Sequence, residues 1–193
     1  MTPATPGPPV LPFPAIAQVH TVVFDFDGVF TDNKVWVNQH GEESVRCDRR
    51  DGLAFDVLRA LIRRGAVQTD FFILTKEGNP VVLARAKKLR LACHHGVGNK
   101  LGFLEQHLSM RGAGSADPFA GLIYVGNDLN DLAVMRRASF AVAPHDAHPL
   151  VRGVAHLVMD ERGGHGFVRA FMERLLGIDR MSNEQIEELL SHG

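Results

Sequence analysis

The chain has 193 residues, 45% hydrophobic and 22% charged. It is long enough for one domain whose core buries roughly 70% of the unfolded surface without disulfide or metal staples. A formal net charge of -1 argues against a broad basic face for nucleic acid or a membrane surface, and no apolar run reaches the ~20 residues of a membrane span, so the composition fits a soluble cytoplasmic protein.

The first 14 residues hold six of the ten prolines and no positive charge, which suits neither an export signal nor a regular element. Residues 1–17 therefore read as a mobile tail with order from Val19, followed by one domain over 18–178 and a helical extension over 179–193. After the tail, strand-like and helix-like segments alternate, the pattern of an α/β fold with a parallel sheet and helices on both faces. Residues 21–25 form a short apolar strand ending in Asp25. Runs at 34–37 and 43–46 flank a turn at Gly41 and predict a β-hairpin inserted after that strand. Leu53, Phe55, Leu58, Leu61 and Ile62 follow Arg50-Asp51-Gly52 at helical spacing. A second core strand at 71–74 stops at Thr75, and a helix over 80–89 opens on Pro80, a good first-turn residue. A short strand at 91–94, a helix over 100–110 and a loop at 111–118 come next. The strand at 122–125 runs into Gly126-Asn127-Asp128-Leu129-Asn130-Asp131 and a helix over 129–137. Short strands at 140–143 and 155–158 precede Gly163-Gly164-His165-Gly166, which opens a helix through 176, and Ser182 with Gln185 predicts a capping box for a last helix.

The polar residues fall where chemistry is done in such a fold. Asp25, Asp27, Thr75, Lys100, Asn127, Asp128 and Asp131 all sit at the carboxyl end of a predicted strand or in the turn beyond it, and in an open parallel sheet those ends gather at one edge. Their types suit phosphoryl transfer. Asp25 can attack phosphorus to give an aspartyl-phosphate. Asp27, from the same turn, can protonate the leaving alkoxide and then deprotonate water. Thr75 and Lys100 can hold phosphoryl oxygens, and Asp25 with Asn127 or Asp128 offers hard oxygen ligands for Mg²⁺. A phosphate dianion beside these carboxylates leaves an excess of negative charge that Lys100 alone does not offset, so a cation is required.

Phe24-Asp25-Phe26-Asp27-Gly28-Val29-Phe30-Thr31-Asp32, Thr75, Lys100 and 126–131 resemble, in order, the four motifs of the haloacid dehalogenase superfamily of phosphatases. The resemblance implies a Rossmann-like fold, Asp25 as nucleophile, Asp27 as acid and base, and Mg²⁺ as cofactor. The metal set it leads us to expect is Asp25, Asp27, Asn127 and Asp128. Neither interval between motifs is long enough for a separate cap domain, so either the substrate is large or another subunit covers the pocket.

The first motif, the hairpin, Arg50-Asp51-Gly52, Ala147-His148-Pro149 and the late glycine motif resemble the 3-deoxy-octulosonate 8-phosphate phosphatases, over about 19–177. They also resemble the phosphatase-like C-terminal domain of some acylneuraminate cytidylyltransferases, which keeps a non-catalytic module as an alternative. That branch implies a phosphorylated sugar acid as substrate and a homotetramer in which hairpins associate and a neighbour helps cover the pocket. Leu74-Thr75-Lys76-Glu77 followed by Lys88 resembles the nonulosonate 9-phosphate phosphatases and tips the expectation toward a nine-carbon substrate, with Glu77 and Lys88 facing it. Arg50, Asp51 and His165 complete the expected substrate-binding set, Arg50 and Asp51 reading equally well as a loop salt bridge. Two positions depart from the family pattern: Asn127 stands where Asp is frequent, and His165 where many relatives carry Arg.

Other residues read more plainly. Asp32 is expected to support the first loop by hydrogen bonding, Asp131 to orient Lys100 or a metal-bound water, and His94-His95 to be a surface pair. Cys47 and Cys93 fit no metal or redox spacing and read as buried free thiols. A phospho-receiver domain also uses Asp, Thr and Lys on a parallel sheet, but there the acceptor Asp lies mid-chain, whereas here the acids lead.

Overall fold

Val22, Val23 and Phe24 are buried completely, as a run must be when it lies at the centre of a sheet covered on both faces. In the computed structural model, which describes residues 11–110 and 117–191, this run is β1 (Thr21–Phe24). It pairs in parallel with β4 (Asp70–Leu74) on one side and β6 (Leu122–Val125) on the other. β5 (Ala92–His94), β7 (Phe140–Ala143) and β8 (Leu157–Val158) complete a six-stranded parallel sheet of order β5-β4-β1-β6-β7-β8. The predicted strand at 155–158 is shorter than expected, retaining only its last two residues.

Alternation along each strand divides the core in two. Val22, Phe24, Ile73, Ile123, Val125 and Val142 point to one face. There they meet α1 (Arg50–Arg63), α2 (Pro80–Leu89), α6 (Phe167–Leu176) and α7 (Asn183–Ser191). Val23, Phe72, Leu74, Tyr124, Ala141 and Ala143 point to the other, against α3 (Lys100–Met110), α4 (Leu132–Arg137) and α5 (Pro149–Arg152). The α5 turn was not predicted; His148 caps it by accepting from the Leu150 N–H, and Pro149 opens it. The predicted box before α7 forms: the Ser182 N–H donates to Gln185 Oε1 at 2.8 Å and the Gln185 N–H to Ser182 Oγ at 3.3 Å.

Between β1 and β4 the chain holds only α1 and an antiparallel hairpin of β2 (Thr31–Val37) and β3 (Glu43–Cys47). No cap domain intervenes. β2 begins three residues earlier than the predicted run, and Trp36 at the hairpin's far end is 57% exposed. The tail expected over 1–17 lies outside the described residues up to Val10. From Leu11 onward the chain packs on the body: Phe13 meets Phe140 edge-to-face at 5.5 Å, and Ile16–Gln18 forms a 3₁₀ turn. Most of the loop at 111–118 also lies outside the described residues.

Candidate active site

Register alone brings the chemistry together. Phe24 pairs with Ile73 and with Val125, so Asp25, Thr75 and the turn after β6 leave the sheet side by side. They open a cleft of about 340 Å³ lined by Asp25, Asp27, Asn33, Thr75, Lys76, Glu77, Asn127, Asp128 and Asn130.

Asp25 is 4% exposed. Its Oδ1 accepts from the Phe26 N–H at 2.8 Å and lies 2.8 Å from Lys100 Nζ. Lys100 does not line the cleft wall, and its ammonium also donates to Asp131 Oδ1 at 2.7 Å. Asp131 is the hub of this corner. It further accepts from the Tyr124 hydroxyl at 2.7 Å and from the N–H groups of Asn127 and Asp128 at 2.9 and 3.2 Å, which bears out its expected orienting role toward Lys100. Burial raises the Asp25 carboxyl to about 7, Asp131 adds to the rise and Lys100 opposes it. Burial pulls the Lys100 ammonium down, but Asp25 and Asp131 outweigh it and hold the group above its ordinary value.

Asp27 is also raised, by burial first and then by Glu77, a shift in the direction of its protonated form. Thr31, fully buried, serves the same turn: its hydroxyl donates to Asp27 Oδ1 at 3.4 Å and accepts from the Gly28 and Asn33 N–H groups at 3.1 and 3.2 Å. Thr75 is buried, and its Oγ1 accepts from the Glu77 N–H at 3.0 Å, leaving the hydroxyl proton to donate to a ligand.

The adjacent Asn127 and Asp128 have different surroundings. The Asn127 side chain is buried, and its Oδ1 has no hydrogen-bond partner. An orphaned buried carbonyl oxygen beside Asp25 costs on the order of 1–3 kcal/mol unless a ligand satisfies it, and a hard cation does so. Asp128 is exposed, and its Oδ1 caps the following turn by accepting from the Leu129 N–H at 2.7 Å. The residues present therefore fit a divalent cation, with the Asn127 amide as the donor that the carboxylates lack.

The expected substrate contacts divide between this cleft and other parts of the molecule. Glu77 lines the cleft, with Oε1 accepting from the Asn79 N–H at 2.7 Å. Lys88 does not; it projects from α2 into a separate basic hollow with Arg49, Arg85 and Arg90. Arg50 and Asp51 do not pair with one another. Arg50 pairs with Asp48 at 2.6 Å and lies against Gly166, where a Cβ would meet its guanidinium at 2.7 Å. Asp51 is buried, 3.6 Å from Arg85, with both carboxylate oxygens lacking a hydrogen bond. His165 is held at the hairpin base, Nδ1 2.8 Å from the Gly163 carbonyl and Nε2 3.0 Å from Arg46 Nη2. Asp32 pairs with the same Arg46 at 2.6 Å. The glycine motif owes its composition to packing, since a Cβ at Gly163 would lie 1.9 Å from the Gly28 carbonyl oxygen. Of the expected surface pair, His95 is exposed, whereas His94 is half-buried and packs against Phe72, Phe103 and His107. Asn33, Lys76 and Asn130 also line the cleft without being among the expected site residues, although Lys76 and Asn130 lie within the motifs around Thr75 and Asn127.

No protein-family model matches the chain. It is 30% identical over 161 residues to the 3-deoxy-D-manno-octulosonate 8-phosphate phosphatase KdsC of Yersinia pestis, covering 83% of this chain and 81% of that one. Its fold superposes on a HAD family hydrolase from Streptomyces avermitilis with a TM-score of 0.77 and 36% identity, over 90% of this chain and 95% of that one. The 3-deoxy-D-manno-octulosonate 8-phosphate phosphatase of Moraxella catarrhalis, solved with magnesium, phosphate and KDO, matches with a TM-score of 0.72 and 25% identity over 84% and 88%.

Proposed function

The chain belongs to the haloacid dehalogenase superfamily of phosphatases, in the branch of the 3-deoxy-D-manno-octulosonate 8-phosphate phosphatases, and we propose that it hydrolyses the 8-phosphate of that eight-carbon sugar acid. The observation that carries this is the cleft itself, where a buried Asp25, an acid at Asp27 and the Thr75 hydroxyl face one space.

In the first half-reaction an Asp25 carboxylate oxygen attacks phosphorus. The P–O8 bond breaks with its electron pair on O8, which takes a proton from Asp27. Asp27, now ionised, accepts a proton from water; the water oxygen bonds phosphorus and the P–O bond to Asp25 breaks, releasing phosphate. Thr75 donates to a phosphoryl oxygen throughout, and Lys100 aims Asp25 and opposes the burial that disfavours its ionised form. We assign a bound Mg²⁺ to Asp25, Asn127 and the Asp27 turn, with Asp128 outside the set. When bound, the cation neutralises charge on the phosphoryl group and on Asp25.

Assembly belongs to the same reading. Val35, Trp36 and Val37 are all more than half exposed on the hairpin, which supports association through it into a tetramer, and Lys88 and His165 then serve a neighbour's cleft. A second substrate reading, a nonulosonate 9-phosphate, is favoured by the place of Glu77 on the cleft wall, where it can accept from an extra hydroxyl or an amide. The test is phosphate release with Mg²⁺ from a panel of eight- and nine-carbon sugar-acid phosphates, with a chelator control. Preferred turnover of the octulosonate ester supports the assignment; preference for the nonulosonate ester transfers it to the second reading; a well-folded chain inert toward both refutes it.

A further inference from the structure

Asn33 has a left-handed backbone, with φ of 60°, and the residue, exposed, lines the cleft with Asp27, Lys76, Glu77 and Asn130. The cause is a register break in the hairpin: Thr31 pairs with Cys47 and Val35 with Val45, so Asp32, Asn33 and Lys34 span the stretch opposite Arg46 alone. The extra residues bulge, and bulges re-aim side chains next to active sites. The bulge is pinned at both of its inner positions. The Asn33 N–H donates to Thr31 Oγ1 at 3.2 Å, the oxygen that also holds Asp27, and Asp32 is tied to Arg46 at 2.6 Å.

A non-glycine residue in this conformation costs roughly 1 kcal/mol, although Asn tolerates it better than most. Gly would remove the strain and leave the turn intact. What Gly would not supply is a carboxamide, with one acceptor oxygen and two donor hydrogens, on the open side of the cleft. There the phosphate-bearing end of a substrate is occupied with Asp25 and Thr75, and the groups left to be recognised are hydroxyls and a carboxylate. Carbonyl and amide together match a chain of hydroxyls, and the N–H groups match an anion beside the acidic Glu77.

We propose that Asn33 is a specificity-determining residue, whose carboxamide on the β2 bulge binds the polyhydroxylated body of the substrate. The inference rests on the phosphatase reading above and adds a residue to it. Its test starts from the wild type on the sugar-acid panel, on simple sugar phosphates and on p-nitrophenyl phosphate, which has no hydroxyls. Asn33→Gly removes the side chain with a compatible backbone, and Asn33→Asp keeps the shape while exchanging the donor for an anion.

With Asn33→Gly, KM for the preferred polyhydroxylated ester rises about tenfold, kcat changes less than threefold, and selectivity for it over p-nitrophenyl phosphate drops about tenfold. Asn33→Asp weakens an anionic sugar-acid substrate further, with an unchanged melting temperature. Unaltered selectivity in Asn33→Gly, or an equal loss on both substrates, overturns the proposal and reduces Asn33 to a residue that merely tolerates the bulge. If the wild type prefers a neutral sugar phosphate, the sugar-acid reading fails while Asn33 is still judged on that ester. A wild type that prefers no polyhydroxylated ester overturns both.

Discussion

A Cβ on Gly28 would lie 1.8 Å from Nδ2 of Asn127, so the turn after Asp25 and the turn after β6 fit together only because position 28 carries no side chain. Gly28 also has φ of 73°, which adds a conformational penalty to any substitution. Gly28→Ala is therefore expected to displace Asn127 and lower kcat/KM at least a hundredfold, with a loss of about 1–2 kcal/mol of stability. Steady-state kinetics and denaturant melts check both parts.

Asn127 offers a neutral oxygen where a carboxylate would bind a hard cation more strongly. Asn127→Asp should tighten Mg²⁺ about tenfold, or ~1.4 kcal/mol, and Asn127→Ala should weaken it. Calorimetric titration of the substrate-free protein with Mg²⁺ reads this without reference to turnover. Equal affinity in all three proteins would remove Asn127 from the metal set and return Asp128 to it.

Asp131 accepts from Lys100, Tyr124 and two backbone N–H groups. Asp131→Asn keeps the shape but removes the charge that holds the Lys100 ammonium and turns part of an acceptor into a donor. Breaking a buried pair of this kind costs about 3–5 kcal/mol. Melts should show that loss, and kcat should fall more than KM rises because Asp25 and Lys100 lose their orientation.

Burial raises the Asp51 carboxyl from 3.8 to about 7, with Arg85 opposing the rise. Between those two values the unfolded chain releases the proton and the folded chain keeps it. Stability from this group therefore falls as pH rises from about 4 to 7, and the full cost remains above 7. Asp51→Asn imitates the protonated acid. It should match the wild type in melting temperature near pH 4 and exceed it by several degrees at pH 8, at about 2–4 °C per kcal/mol. A difference that does not grow with pH would contradict this.

Much of this site is legible in the sequence. Asp25 and Thr75 directly follow largely apolar strands and Asn127 comes one residue after another, and parallel strands in register must bring their ends together, so the sequence was enough to place them. Lys100 was legible for the opposite reason, as a cation at a helix start where the dipole disfavours it. Asn33 was not, because its position depends on a two-residue register slip that leaves no local pattern. Lys88 and Asp51 lie on helix faces whose direction is set by packing of α1 and α2, which spacing alone does not specify. Asn127 and Asp128, adjacent and of similar shape, are separated by which side chain the turn after β6 buries.

Central to the proposed reaction is Asp25 as a nucleophile that carries the phosphoryl group. The most direct measurement is to mix enzyme with a turning-over sugar-acid phosphate, quench, reduce with borohydride and sequence the peptide by mass spectrometry. An acyl phosphate is reduced to homoserine, and the account predicts homoserine at position 25, absent without substrate and absent in Asp25→Asn, which should also lose turnover while remaining folded. Full turnover by Asp25→Asn, or homoserine appearing only at position 27, would contradict it.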